Sequence, residues 1–239
     1  MSTKIFIGTS PNNFDKEIET IYEYSLRENC KSELDINWMR LSNSRSDFWS
    51  NWNTRKWFTP FSGFRWGIPE FCDFKGRVIY TDVDMINLKD ISKLIEIDMQ
   101  GKPFAARKGN RWGYELCVMV IDCDKAKDYL WKIKKLRSNA NSHQYHRNLI
   151  ASSKLVQEID KRWNCLDGED LSISEIYQLH FTNMSTQPWQ PEWYKGKREL
   201  HPRADIIDLY NSYKNKALKD NDLNKIENKS EFVDFKISL

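Results

Sequence analysis

The sequence predicts an α/β fold in a single domain, with a mostly parallel central sheet flanked by helices, and three observations carry that prediction. Residues 4–8 are short, apolar and β-branched. Residues 14–29 place Ile18, Ile21, Tyr22 and Leu26 at helical spacing, and residues 34–41 read as a second strand, so the chain opens as a βαβ unit. Further on, Arg77-Val78-Ile79-Tyr80 reads as a buried strand that ends at Asp82-Val83-Asp84, where an open α/β sheet offers its ligand edge. Finally, 239 residues with a hydrophobic fraction of 40% and an aromatic fraction of 13% fill one substantial core.

The first strand ends in the turn-prone Gly8-Thr9-Ser10-Pro11-Asn12-Asn13. Residues 42–59 are polar and hold Trp49, Trp52 and Trp57, which predicts a long loop or a short irregular helix. Residues 60–72 carry a helical pattern around Phe64, Trp66 and Ile68. Strands are predicted over 103–106, 116–122 and 176–182, and helices over 124–136, 148–163 and 204–218. Residues 219–229 turn rich in Asn, Lys and Asp and read as a linker, after which Phe232-Val233-Asp234-Phe235 either docks back or stays loose.

Charge and cysteine content exclude several function classes. The 37 basic residues exceed the 34 acidic ones by three and are scattered, so a nucleic-acid partner is not expected. Cys30, Cys72, Cys117, Cys123 and Cys165 show neither a CxxC pair nor a disulfide framework, which points to reduced thiols in the cytoplasm. The first 13 residues lack a signal pattern, and no stretch approaches the roughly 18 apolar residues of a membrane span.

The pair Asp82 and Asp84 carries the chemistry. Residues two apart on extended backbone face the same side, so the carboxylates repel unless a cation joins them. Mg²⁺ or Mn²⁺ with substrate phosphates is the natural partner, the alternative being a solvated loop pair or two helix caps. His180 ends another strand-like run and can complete a carboxylate metal site, or simply pack. Gln187-Pro188-Trp189 follows it, with Pro188 stiffening the turn. Most of the ten tryptophans read as core. Trp189 and Trp193 stand out beside this motif, and Trp49 or Trp52 is a candidate lining for an acceptor groove. His143 and His146 read as solvated.

The run from Ile79-Tyr80-Thr81-Asp82-Val83-Asp84 to Lys89-Asp90-Ile91 resembles the strand, DxD and turn of glycosyltransferase family 8. His180-Phe181-Thr182-Asn183-Met184-Ser185-Thr186-Gln187-Pro188-Trp189, about a hundred residues later, is similar to the HxxGxxKPW motif of that family. Phe6-Ile7-Gly8-Thr9 resembles its opening nucleotide-binding strand, Phe64 to Glu70 its helix before the DxD strand, and Val118 to Asp122 a later strand. The resemblance spans roughly residues 3–193.

It implies a GT-A fold, Rossmann-like, with a nucleotide-sugar-binding and catalytic domain over 1–200 and a C-terminal helix and polar tail over 201–239. It further implies a retaining transfer of a hexose from a UDP-sugar to a carbohydrate-bearing glycan, lipid-linked or protein acceptor. Mn²⁺, with Mg²⁺ as substitute, would be held by Asp82, Asp84 and His180. Donor contacts would come from Ile7, Gly8, Thr9, Arg65, Asp82, Val83, Gln187 and Trp189, and Asp167 and Glu169 would lie beside the reacting sugar. Four positions depart from the family pattern. Asn183 stands for glycine, Gln187 for the lysine that meets the diphosphate, Glu115-Leu116-Cys117 for Asn-x-Gly, and Gly168 for glutamine. Two other readings remain open from the sequence: a metal-dependent phosphatase or phosphotransferase with Asp82 as nucleophile and Asp84 as acid, or a non-catalytic nucleotide-sugar-binding module. Oligomeric state is not legible.

Overall fold

The computed structural model describes residues 2–109, 113–220 and 232–237. The βαβ opening forms as the periodicity predicts. Strand β1 (Thr3–Gly8) leads into helix α1 (Lys16–Asn29), and strand β2 (Leu34–Met39) lies parallel to β1 in the register Gly8↔Met39. Ile18, Ile21, Tyr22 and Leu26 of α1 are buried against the sheet. On the other side of β1 runs β3 (Arg77–Asp82), also parallel, with Gly8 opposite Asp82.

The main sheet continues through β6 (Tyr114–Asp122), β5 (Phe104–Lys108) and β7 (Val156–Ile159), in the order β2-β1-β3-β6-β5-β7. β6 runs antiparallel to both neighbours, while β5 and β7 pair in parallel, so the sheet is mostly parallel. The carboxyl ends of β1, β2, β3, β5 and β7 therefore open on one edge, where ligands bind in such sheets.

A second sheet is built from three short strands, β4 (Met85–Asn87), β8 (Cys165–Leu166) and β9 (Gln178–His180), with β9 in the middle. β9 falls inside the expected strand at 176–182. β4 and β8 are too short to show any period and were not anticipated. Their pairing sets Met85 opposite His180 and Leu166 beside it, and it is this pairing that carries His180 to the end of β3.

Two expected helices are corrected. The segment 124–136 is split into α3 (Cys123–Ala126) and α4 (Ile133–Ser138). Tertiary acceptors take the amides that a continuous helix would use: Trp131 N–H donates to His146 Nε2 at 3.1 Å and Ile133 N–H to Glu70 Oε2 at 2.9 Å. The segment 148–163 is not one helix either. Helix α5 (Ser142–Ala151) ends as Ser152 and Ser153 bond back to the Asn148 and Ile150 carbonyls. Val156 to Ile159 then joins the sheet edge offered by β5, and residues 161–164 form a 3-10 turn. An open edge a long way off in sequence outweighs local helical spacing.

The 60–72 pattern becomes a 3-10 turn, Phe64–Gly67, running into α2 (Ile68–Phe71). The 42–59 stretch is a loop whose Trp49, Trp52 and Trp57 are buried in an aromatic cluster with Phe64, with ring centroids 5.3 Å apart from Phe64 in each case. All three belong to the core, and Trp49 also lines a cavity beside β2. His143 and His146 are also buried, under Trp66 and Trp131, which corrects the solvated reading. Helix α6 (Ala204–Asp220) packs on α1, where Lys214 Nζ meets Glu17 at 2.7 Å and Asn29 Nδ2 donates to Tyr213 Oη at 3.0 Å. Of the expected linker, Lys219 and Asp220 close α6 and the remainder lies outside the described residues. Residues 232–237 dock back on the domain. Among the described residues no helix is long and apolar enough to cross a membrane.

Candidate active site

Asp82 ends β3, next to Gly8 on the neighbouring strand. Its Oδ1 accepts from Arg65 Nη2 at 2.9 Å and from the Tyr80 hydroxyl. Arg65 is itself buried: its Nε donates to the Ser62 carbonyl at 2.9 Å, its Nη1 donates to the Leu116 carbonyl, and its guanidinium carbon lies 4.3 Å from the Tyr80 ring centre. Arg65 is thus a buried counter-charge that holds one Asp82 oxygen. Val83 turns its side chain into the core, and its carbonyl accepts from Met85 N–H at 2.8 Å.

Asp84 and His180 face each other across the joint between the sheets, where Phe181 N–H donates to the Asp84 carbonyl at 2.9 Å. His180 Nδ1 lies 2.9 Å from Asn164 Oδ1, which assigns the ring proton to Nδ1 as donor. Nε2 then faces Asp84 Oδ1, 3.4 Å away, with a lone pair when the ring is neutral and as an ion pair when it is protonated. That oxygen is buried and has no hydrogen-bond partner among the described residues. With the ring neutral, two acceptors at that distance need a cation or a proton between them. Burial pushes the Asp84 carboxyl up against the pull of His180. Burial also disfavours charge on His180, but Asp84, Asp82 and Asp167 outweigh it and raise the imidazole.

One donor here was not anticipated. Cys117, near the start of β6, joins Asp82 and His180 in a group whose ligand atoms all lie within 4.8 Å of one another. Burial, then Asp82, holds its thiol well above the ordinary range, so it is neutral. Only the β3–β6 pairing, which sets Thr81 opposite Val118, reveals this neighbour. Ligands a little over 2 Å from a divalent ion span such a distance. Two carboxylates and an imidazole oriented by an amide behind it are a donor set that could hold a divalent cation.

The donor-side residues divide. Ile7 and Thr9 are fully buried, with Thr9 Oγ1 bonded to Glu19. Gly8 has no space for a side chain: a Cβ there would clash with the Phe61 ring at 2.8 Å. These three bring the strand to the wall of a cavity of about 460 Å³ without lining it. The lining comes from the next residues, Pro11, Asn12 and Asn13, and from Trp38 and Arg40 at the end of β2. Asn12 and Asn13 take left-handed backbone, φ 62° and 58°, which asparagine tolerates well.

The remaining expected residues are engaged by protein. Gln187 Nε2 donates to the Phe181 carbonyl at 2.9 Å. Trp189 stacks on Tyr210 at 5.7 Å and meets Phe181 edge-on. Asp167 accepts from Thr182 Oγ1 at 2.7 Å and lies 3.3 Å from His201 Nε2, with side chains only 4% and 1% exposed. Glu169 forms a two-point ion pair with Arg107, 2.7 and 2.8 Å. Arg107 also donates to the Asn164 carbonyl at 2.7 Å, which ties this pair to the residue that orients His180.

Comparison with known proteins places the fold. Among curated proteins none matches. In fold, the glycosyltransferase GlyE of Streptococcus pneumoniae TIGR4 superposes with a TM-score of 0.62 at 15% identity, over 97% of this chain and 66% of that one. The bifunctional glycosyltransferase WbbM gives 0.61 at 12% identity, over 91% and 51%. The galactosyltransferase LgtC, solved with donor and acceptor sugar analogues, gives 0.63 at 10% identity, over 90% and 96%. The chain thus spans just under two thirds of GlyE and about half of WbbM. These likenesses carry the GT-A fold, and the sequence model of glycosyl transferase family 8 matches residues 14–148, more than half of the 239; the chain belongs to glycosyl transferase family 8.

Proposed function

We propose that this family member transfers a hexose from a UDP-sugar to a carbohydrate-bearing acceptor (a glycan, a lipid-linked sugar or a protein) with retention of anomeric configuration. Asp82, Asp84 and His180 would hold Mn²⁺, with Mg²⁺ as substitute. One observation carries the reading: the buried Asp84 Oδ1, which accepts no hydrogen bond among the described residues, 3.4 Å from Nε2 of an imidazole fixed by Asn164. When bound, the dication would stabilise the negative charge that grows on the departing nucleotide.

The protein's own part is preorganisation. Asn164 keeps His180 in the tautomer that presents Nε2. Arg65 and Tyr80 fix the Asp82 carboxylate, which leaves it a poor phosphatase nucleophile. Gln187 carries no charge and is spent on Phe181, so it cannot replace the lysine of the family motif at a diphosphate. Asp167 and Glu169, expected beside the sugar, we assign instead to positioning. Asp167 anchors Thr182 just past His180, and Glu169 holds Arg107 behind Asn164. The nucleoside would lie in the cavity past β1 and β2. Five free thiols fit a cytoplasmic setting.

Isothermal titration of UDP, with and without Mn²⁺, tests the proposal on wild type and Asp84→Ala. UDP should bind wild type only with Mn²⁺, and the variant should lose that binding. Binding indifferent to both metal and mutation overturns it.

A further inference from the structure

The C-terminal residues 232–237 reach a place that no sequence motif marks. Asn12, on the left-handed turn after β1, grips the backbone of Val233 at two points: its Nδ2 donates to the Val233 carbonyl and its Oδ1 accepts from Val233 N–H, both at 2.9 Å. Asn43 Nδ2 donates to the Phe232 carbonyl at 2.9 Å, and Thr54 Oγ1 donates to the Lys236 carbonyl at 2.7 Å. Phe235 meets Phe14 edge-on with centroids 6.3 Å apart. Three regions far apart in sequence are therefore laced together: the β1–α1 turn, the 42–54 loop and the tail. Val233 is almost fully buried, and it is one wall of the 460 Å³ cavity that Asn12, Trp38 and Arg40 also line.

Strand spacing locates this cavity relative to the proposed metal ligands. Its lining reaches from the turn after β1 to the end of β2, and β2 is separated from β3, which carries Asp82, by β1 alone. Two strand spacings amount to about 10 Å. A ligand that spans a dication at one end and a pocket about 10 Å away at the other has the chemistry of a nucleoside diphosphate. Trp38 adds a partly buried ring at the pocket and Asn12 a polar edge already committed to the tail.

We infer that residues 232–237 are a strap that completes the nucleoside pocket, with Val233 as its inner wall and Asn12 as its clasp, so that strap docking and nucleotide binding reinforce each other. This rests on the proposed UDP-sugar donor. Because coupling between two binding events is reciprocal, the factor by which the docked strap tightens UDP must equal the factor by which UDP tightens the strap.

Two measurements on the same protein test it. Hydrogen exchange of the full chain, with and without UDP and Mn²⁺, reads the Val233 amide held by Asn12. Isothermal titration compares UDP binding to the full chain and to a chain ending at Ser230. We expect UDP to slow exchange at Val233 and the shortened chain to bind UDP more weakly, each by roughly tenfold, within the usual span of couplings. If the full chain binds UDP but exchange at Val233 is unchanged, the strap is only a surface tail and the inference fails while the donor assignment stands. Faster exchange with UDP overturns it too, since the strap would then compete with the nucleotide. If the full chain does not bind UDP at all, the donor assignment itself has failed and the strap's role falls with it. Should the shortened chain fail to fold, the exchange measurement on the full chain decides alone.

Discussion

Replacing Arg65 by methionine separates structural from metal electrostatics at the DxD strand. The side chains of Arg65 and Asp82 are 6% and 11% exposed, so their ion pair is a buried one. Removing one partner of such a pair costs about 3–5 kcal/mol, because the other charge is left uncompensated. The Tyr80 hydroxyl still donates to Asp82, which places the expected loss near the lower end, about 3 kcal/mol. For a domain of this size each kcal/mol lowers Tm by about 2–4 °C, so Arg65→Met should melt about 6–12 °C below wild type. Mn²⁺ should close part of that gap, since a bound cation supplies the charge that the guanidinium no longer does. If the variant binds metal tenfold more tightly, saturating Mn²⁺ should stabilise it by about 1.4 kcal/mol more than wild type. Differential scanning calorimetry with and without Mn²⁺ reads both quantities. A loss below about 1 kcal/mol would show that Arg65 is not the counter-charge of Asp82. Equal Mn²⁺ shifts in the two proteins would show that Asp82 does not face the metal.

Three further outcomes follow from the geometry. Asn164→Ala removes the acceptor that orients His180, and Mn²⁺-dependent UDP affinity should fall about 10- to 100-fold with the fold intact; an unchanged titration would mean His180 needs no such support. Gly63→Ala puts a Cβ 2.2 Å from Trp57 Cζ2 in the closed aromatic cluster, so urea unfolding should show a loss of about 1–3 kcal/mol, and an unaltered midpoint would mean the cluster yields freely. Burial pushes the Asp15 carboxyl up to about 6, partly offset by its hydrogen bonds from Ser10. A carboxyl raised in the folded state takes up protons there first, so stability falls as pH rises from about 4 to about 6. Asp15→Asn should lose that slope and be more stable at pH 7 by roughly 2–3 kcal/mol, and an identical pH slope in both proteins would refute the assignment.

How much was legible in advance varied with the range of the forces involved. The βαβ opening and the β3 strand with its Asp82-Val83-Asp84 terminus were readable because spacing and turn chemistry act within a few residues. The helices at 124–136 and 148–163 were misread for the opposite reason. Their outcome was decided by Glu70, by His146 and by the open edge of β5, all remote in sequence. Short strands such as β4 and β8 have no period to detect at all.

The same division runs through the site. By itself the sequence determined that two carboxylates sit at a strand end and that a histidine ends another strand about a hundred residues later, since those are properties of local patterns. Only the tertiary structure decided that Met85 pairs with His180, that Cys117 stands beside Asp82, and that Asn164 sets the imidazole. It also turned Arg65, Asp167, Glu169, Gln187 and Trp189 inward to protein partners and laid Val233 along the cavity wall. A side chain's type states what it can bond, but which partner reaches it first depends on strand pairing and packing between segments far apart in the chain.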